Sequence, residues 1–141
     1  MKRKASAVWQ GGLKDGKGTV STESGVLQNT AYSFGTRFEN AKGTNPEELV
    51  AAAHAGCFAM ALSAQLGERG LTAEKLEASA TATLEKVEAG WSVTSVHLDV
   101  RGKVSGADAA TFEKAANAAK TGCPISRLLN TTITMDAKLV A

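Results

Sequence analysis

The chain has 141 residues, 43% of them hydrophobic and 21% charged, with a net charge of +2 at pH 7. Those proportions describe one ordinary globular domain, residues 1–141, large enough to bury a core. A charge this small, with only Lys2-Arg3-Lys4 clustered, excludes a nucleic-acid binder as the first reading, and no apolar run reaches the roughly 20 residues of a membrane span.

Residues 4–12 alternate loosely between Ala5, Ala7, Trp9 and Lys4, Ser6, Val8 until Gly11-Gly12 break the run, which predicts a strand entering a turn. Trp9 and the two glycines arrive before the apolar core of a signal peptide could form, so the expected location is the cytoplasm. Asp15-Gly16-Lys17-Gly18 is a hairpin-type turn leading to a second strand over Thr19–Thr22. Val26-Leu27-Gln28 reads as a third short piece. Tyr32 to Phe38 alternates large apolar with small or polar residues, which places Arg37 in a strand.

A long helix is predicted from about Pro46 to Arg69. Thr44 and Asn45 are N-cap types, Pro46 suits the first helical position, and Glu47 and Glu48 complement the helix dipole. From Leu49 to Leu62 no residue is charged, the mark of a buried helix. Residues 76–87 and 91–100 then alternate as a hairpin. Asp108 caps a helix running to about Thr121, Pro124 opens a short one, and Thr131–Val140 alternates as a final strand. The order βββ-α-ββ-αα-β describes an α+β protein with antiparallel sheets around a long central helix.

The two cysteines, Cys57 and Cys123, make neither a CxxC pair nor a metal-ligand set, and in a reducing compartment such thiols default to inert core residues. Cys57 lies deep in the long helix, where burial alone raises a thiol's pKa; its nearby cation is His54, one turn away, or Arg37, whose guanidinium keeps its charge. Cys123 precedes Pro124 at a helix start, so elementary electrostatics makes it the more activated thiol. Glu47 shares a face with His54 but lies about 15 Å from Cys57 along the axis. It therefore acts through a bridging residue or on the Cys57 of a second chain. His54 among alanines reads first as a core or interface histidine and second as a base.

Gly43-Thr44-Asn45-Pro46-Glu47-Glu48-Leu49, then Ala52-Ala53-His54-Ala55-Gly56-Cys57-Phe58, then Gly122-Cys123-Pro124-Ile125-Ser126 resemble the OsmC/Ohr family of thiol peroxidases. The Gly16–Gly25 stretch and Thr36-Arg37-Phe38-Glu39 are similar to its OsmC, or osmotically inducible, branch. The resemblance implies a peroxidase that reduces organic hydroperoxides, and hydrogen peroxide less well, in oxidative and osmotic stress defence. It implies Cys57 as the peroxidatic cysteine, overruling the ranking from electrostatics, with Cys123 resolving and Arg37, held by Glu47, stabilising the Cys57 thiolate. It further implies an intertwined homodimer, a dithiol reductant of lipoyl type, and no metal or organic cofactor. Phe58 and Met60 are the candidates for favouring organic peroxides. The rival reading is a redox sensor or a hydrophobic-ligand binding protein using the same pocket.

Overall fold

The computed structural model describes residues 1–141, which divide into two units, residues 1–49 and 50–141. In the first unit, strands β1 (Ala5–Gln10), β2 (Lys17–Thr22) and β3 (Thr30–Tyr32) form an antiparallel meander in the order β1-β2-β3. Gly18 lies between the Trp9 and Tyr32 rings, where any Cβ would collide with both, so the two aromatics close over a bare backbone at 5.5 Å between centroids. The third strand is Thr30–Tyr32 rather than Val26–Gln28, whose residues form the connecting bend.

The next element corrects the sequence reading. Phe34–Phe38 is a helical turn, α1, not a strand. Ser33 and Thr36 form a capping box: Ser33 Oγ accepts from the Thr36 N–H at 3.2 Å, and Thr36 Oγ1 accepts from the Ser33 N–H at 2.8 Å. Phe34 and Phe38 stack at 4.8 Å as an i, i+4 pair, a spacing that also satisfies alternation over so short a run.

Helix α2 (Pro46–Glu68) runs through the boundary of the two units. Asn45 Oδ1 accepts from the Glu48 N–H at 2.7 Å and Pro46 takes the first helical position, as expected. By length and mean hydropathy, 1.5 over an 18-residue window, α2 is long and apolar enough to cross a membrane, contrary to the count of apolar runs. Ser63, Gln65 and His54 interrupt such runs without adding charge. Phe58, Leu62 and Leu66, one face at i, i+4 and i+8, are wholly buried in the second unit's core.

That core is completed by β4 (Lys75–Val87), β5 (Gly90–Lys103), β6 (Thr132–Val140) and helix α3 (Ala109–Gly122), followed by the short α4 (Pro124–Leu128). β4 and β5 pair antiparallel with an extra residue in β5 opposite Thr83/Leu84. This bulge brings Val93 onto the side of Leu84 and Val96 onto that of Ala82, so both valines serve one face although three residues apart. β5 and β6 are parallel, not antiparallel as expected, because α3 and α4 form the crossover between them. Val96, Leu98 and Val100 of β5 and Phe112, Ala115, Ala116 and Ala119 of α3 are buried.

Gly102 of β5 lies beneath the Phe112 ring, which a Cβ would penetrate. Because Phe112 is itself buried, Gly102→Ala is expected to destabilise the protein by about 1–3 kcal/mol. The check is the urea midpoint at unchanged m-value; a wild-type midpoint would show that the ring can yield.

Candidate active site

In the first unit, α1 and the start of α2 are tied by Asn45, which caps α2 with its Oδ1 while its Nδ2 donates to the Thr36 carbonyl at 3.1 Å. One side chain thus fills an unpaired N–H of α2 and a carbonyl of α1. This sets Arg37, next along α1, against Glu47 in the first turn of α2. Arg37 Nε donates to Glu47 Oε1 at 3.0 Å and to Oε2 at 3.2 Å, and Nη2 donates to Oε1 at 2.6 Å. The Glu47 side chain is 12% exposed and that of Arg37 37%, so the carboxylate is largely enclosed and the guanidinium keeps an open edge. The Arg37 guanidinium carbon also lies 5.3 Å from the Phe38 ring centre. Sequence reasoning missed the cavity beside it, about 260 Å³, walled by Trp9, Leu13, Tyr32, Phe34 and Phe38 with Arg37 on its rim. Those aromatics are scattered over two strands and a turn, and only the fold gathers them.

In the second unit, Cys57 and Cys123 come together although 66 residues separate them in sequence. Their sulfurs lie 2.9 Å apart in a thiol–thiol hydrogen bond, and both cysteines are free. Cys123 is the junction of two helices: its N–H donates to the Ala119 carbonyl at 2.9 Å, closing α3, and it precedes Pro124 of α4. Its side chain is fully buried in the core, whereas Cys57 is half-buried and packs against that core. Burial pushes the Cys57 thiol up, the adjacent Cys123 pushes it further, and a hydrogen bond from the Ile125 backbone acts in the opposite sense.

His54 is wholly buried, with Nε2 2.7 Å from Ser126 Oγ and Nδ1 without a hydrogen-bond partner. Burial lowers its pKa and keeps the ring neutral. Phe58, expected near the site as a selector of organic peroxides, is a core residue with no exposed surface, and Met60 is 78% exposed on the opposite side of α2. No group of three or more His, Cys, Asp or Glu side chains is disposed to hold a metal ion.

The OsmC family model, described as OsmC-like protein, matches residues 39–138 of this chain. Peroxiredoxin OsmC of Escherichia coli (strain K12) is 52% identical over 137 residues, 97% of this chain and 96% of that protein. Peroxiredoxin OsmC of Shigella flexneri matches to the same extent. Among solved structures, the organic hydroperoxide resistance protein OhrB of Bacillus subtilis is similar with a TM-score of 0.69 at 24% identity, covering 97% of this chain and 98% of that one. An OsmC-like protein of Mycoplasma pneumoniae reaches a TM-score of 0.77 at 15% identity, covering 100% and 99%. At such identities the two structures speak for the fold. The half-identical relatives and the family match, each over most of the chain, carry the assignment further: this chain belongs to the OsmC family.

Proposed function

We propose that this protein is a cysteine-based peroxidase that reduces organic hydroperoxides, and hydrogen peroxide less well, in oxidative and osmotic stress defence. The observation that carries this reading is the 2.9 Å separation of two free thiols, one half-buried and one buried. Two relatives at 52% identity bear the name peroxiredoxin.

Cys57, the thiol with access to solvent, is the peroxidatic residue. Its thiolate attacks the distal oxygen of ROOH, the O–O bond breaks, and Cys57 becomes a sulfenic acid while the departing alkoxide takes a proton and leaves as ROH. Cys123 then attacks the sulfenic sulfur. An S–S bond forms, and the hydroxyl leaves with the Cys123 proton as water. An external dithiol, of lipoyl type, reduces the disulfide by exchange and is itself oxidised to a disulfide. Burial and Cys123 both hold Cys57 toward the thiol, so the thiolate needs a cation. Arg37, oriented by Glu47 through a two-toothed ion pair that leaves Nη1 outside it, supplies that charge. The aromatic cavity beside Arg37 supports the preference for a peroxide with a hydrocarbon tail.

The working unit is a homodimer located in the cytoplasm. Supporting it is the side of α2 opposite Phe58, Leu62 and Leu66, where Ala53, Gly56, Ser63, Ala64 and Gly67 surround Met60, all exposed. A face of such small residues lets the backbone of a second helix approach closely.

Steady turnover of cumene hydroperoxide with dihydrolipoamide, faster than that of hydrogen peroxide, is the expected activity. Cys57→Ser is expected to abolish it. Cys123→Ser is expected to leave the first peroxide reaction and to accumulate Cys57 sulfinic acid by mass spectrometry; full turnover by Cys57→Ser would end the peroxidase reading. For assembly, sedimentation equilibrium is expected to give about twice the 14.5 kDa chain mass, and Met60→Glu to shift it toward the single chain. A single-chain mass in the wild type would rule out the dimer. Finally, Cys123→Ala removes two of the influences that raise the Cys57 pKa. The thiolate absorbance of the remaining cysteine is expected to titrate at lower pH than Cys57 does in the wild type. An unchanged or higher midpoint would contradict that origin of the shift.

A further inference from the structure

Beside the thiol pair, a second polar rung joins the same two helices. His54 stands three residues before Cys57 on α2, and Ser126 stands three residues after Cys123 on α4. The Cys57–Cys123 contact is 2.9 Å and the His54 Nε2–Ser126 Oγ contact 2.7 Å. The two rungs differ in what the chemistry does to them. Oxidation of Cys57 to a sulfenic acid changes the acceptor end of the first, in which Cys123 donates to Cys57. The second survives, since neither His54 nor Ser126 changes covalently during turnover.

The histidine is built for this bond alone. Its ring is fully buried, Ser126 is 8% exposed, and Nδ1 has no partner. Nε2 and Ser126 Oγ can each donate or accept, so one proton shared between them makes the bond in either tautomer. α4 is only five residues long and begins directly after Cys123. It is too short to hold its own position by helix propagation. Its placement therefore depends on what lies outside it: the core that Cys123 and Ile125 pack into, and the bond from Ser126 to His54.

We infer that the His54–Ser126 hydrogen bond is the positioning latch that keeps α4, and with it Cys123, beside Cys57 while Cys57 is a sulfenic acid. The inference rests on the two-cysteine peroxidase cycle proposed above and adds to it two positioning residues that touch no reacting atom. The step they serve balances as written there: the sulfenic hydroxyl and the Cys123 proton leave as water when the S–S bond forms. With the latch intact, resolution outruns a second peroxide. Without it, only apolar packing holds α4 and Cys123, Cys123 meets the sulfenic sulfur less often, and the waiting sulfenic acid is oxidised to sulfinic acid.

The test is a single-turnover experiment on the reduced full chain with increasing cumene hydroperoxide, scoring disulfide against Cys57 sulfinic acid by intact mass. Ser126→Ala and His54→Phe are expected to raise the sulfinic-to-disulfide ratio about tenfold at a given peroxide concentration, the size of one lost buried hydrogen bond. The rate of the first peroxide reaction is expected to stay within about twofold of wild type, since the latch acts after it. Ser126→Thr keeps the hydroxyl, and His54→Gln keeps an N–H donor at the Nε2 position; both are expected to restore the wild-type ratio. A wild-type ratio in Ser126→Ala and His54→Phe overturns the inference. So does a ratio that rises equally in the conservative pair and follows melting temperature, which marks a merely structural bond. If Ser126→Ala does not fold, His54→Phe against His54→Gln makes the same comparison. A wild-type chain that forms no disulfide at all overturns the peroxidase cycle itself, an outcome distinct from a normal wild type with unaffected variants.

Discussion

Two sulfurs 2.9 Å apart impose a condition on the whole second unit. Cys57 rides on α2, whose register is set by Phe58, Leu62 and Leu66 locking into the core one turn apart. Cys123 is itself a core residue, in one cluster with Leu98 and Val100 of β5 and with Phe112, Ala115, Ala116 and Ala119 of α3. A shift of α2 by a single residue would rotate Cys57 by about 100° and separate the pair. Close packing is what prevents this, because an interior at crystal-like density has few alternative registers. The thiol contact is thus a consequence of apolar burial, and the small alanines of α3 contribute by letting helix and sheet approach closely.

The first unit uses a different device. Its short elements cannot bury much, and polar side chains set the geometry instead. Ser33 and Thr36 close α1, Asn45 joins α1 to the cap of α2, and Arg37 meets Glu47 as a result. An ion pair whose guanidinium stays open to solvent contributes little stability on its own, usually below about 1 kcal/mol. Its value here is directional: a guanidinium bound through Nε and Nη2 has one orientation, which a flexible arginine on a surface strand would lack. In the proposed cycle the chain supplies a fixed cation in one unit and a fixed thiol pair in the other.

His54 is the core histidine that its alanine surroundings suggested first. Beside a cysteine in sequence it invites reading as a base or as the activating cation. Burial removes both options, since a ring without solvent access is kept neutral and Nε2 is committed to Ser126. The partner lies 72 residues away in a five-residue helix, and no periodicity in the sequence links them. The strand placement of Arg37 is what the structure overturns. The signals for α1 were local and present, but Tyr32, Phe34 and Phe38 fit alternation as well as helical spacing, and only the Ser33–Thr36 capping box distinguishes the two.

Alone, the sequence determined what depends on neighbours within a turn or two of chain: the Asn45–Pro46 start of α2, its uncharged body, the Asp108 cap of α3, the long β4–β5 hairpin and the α+β class. The quoted cysteine motifs determined the family. The tertiary structure decided the parallel placement of β6, the meeting of Cys57 with Cys123 and of His54 with Ser126, the burial of Phe58, and the gathering of aromatics beside Arg37. The division follows from the range of the forces. Caps and periodicity act over a few residues and leave a local trace, whereas which faces of distant helices meet is chosen by the packing of the whole core, and no short stretch of sequence contains that choice.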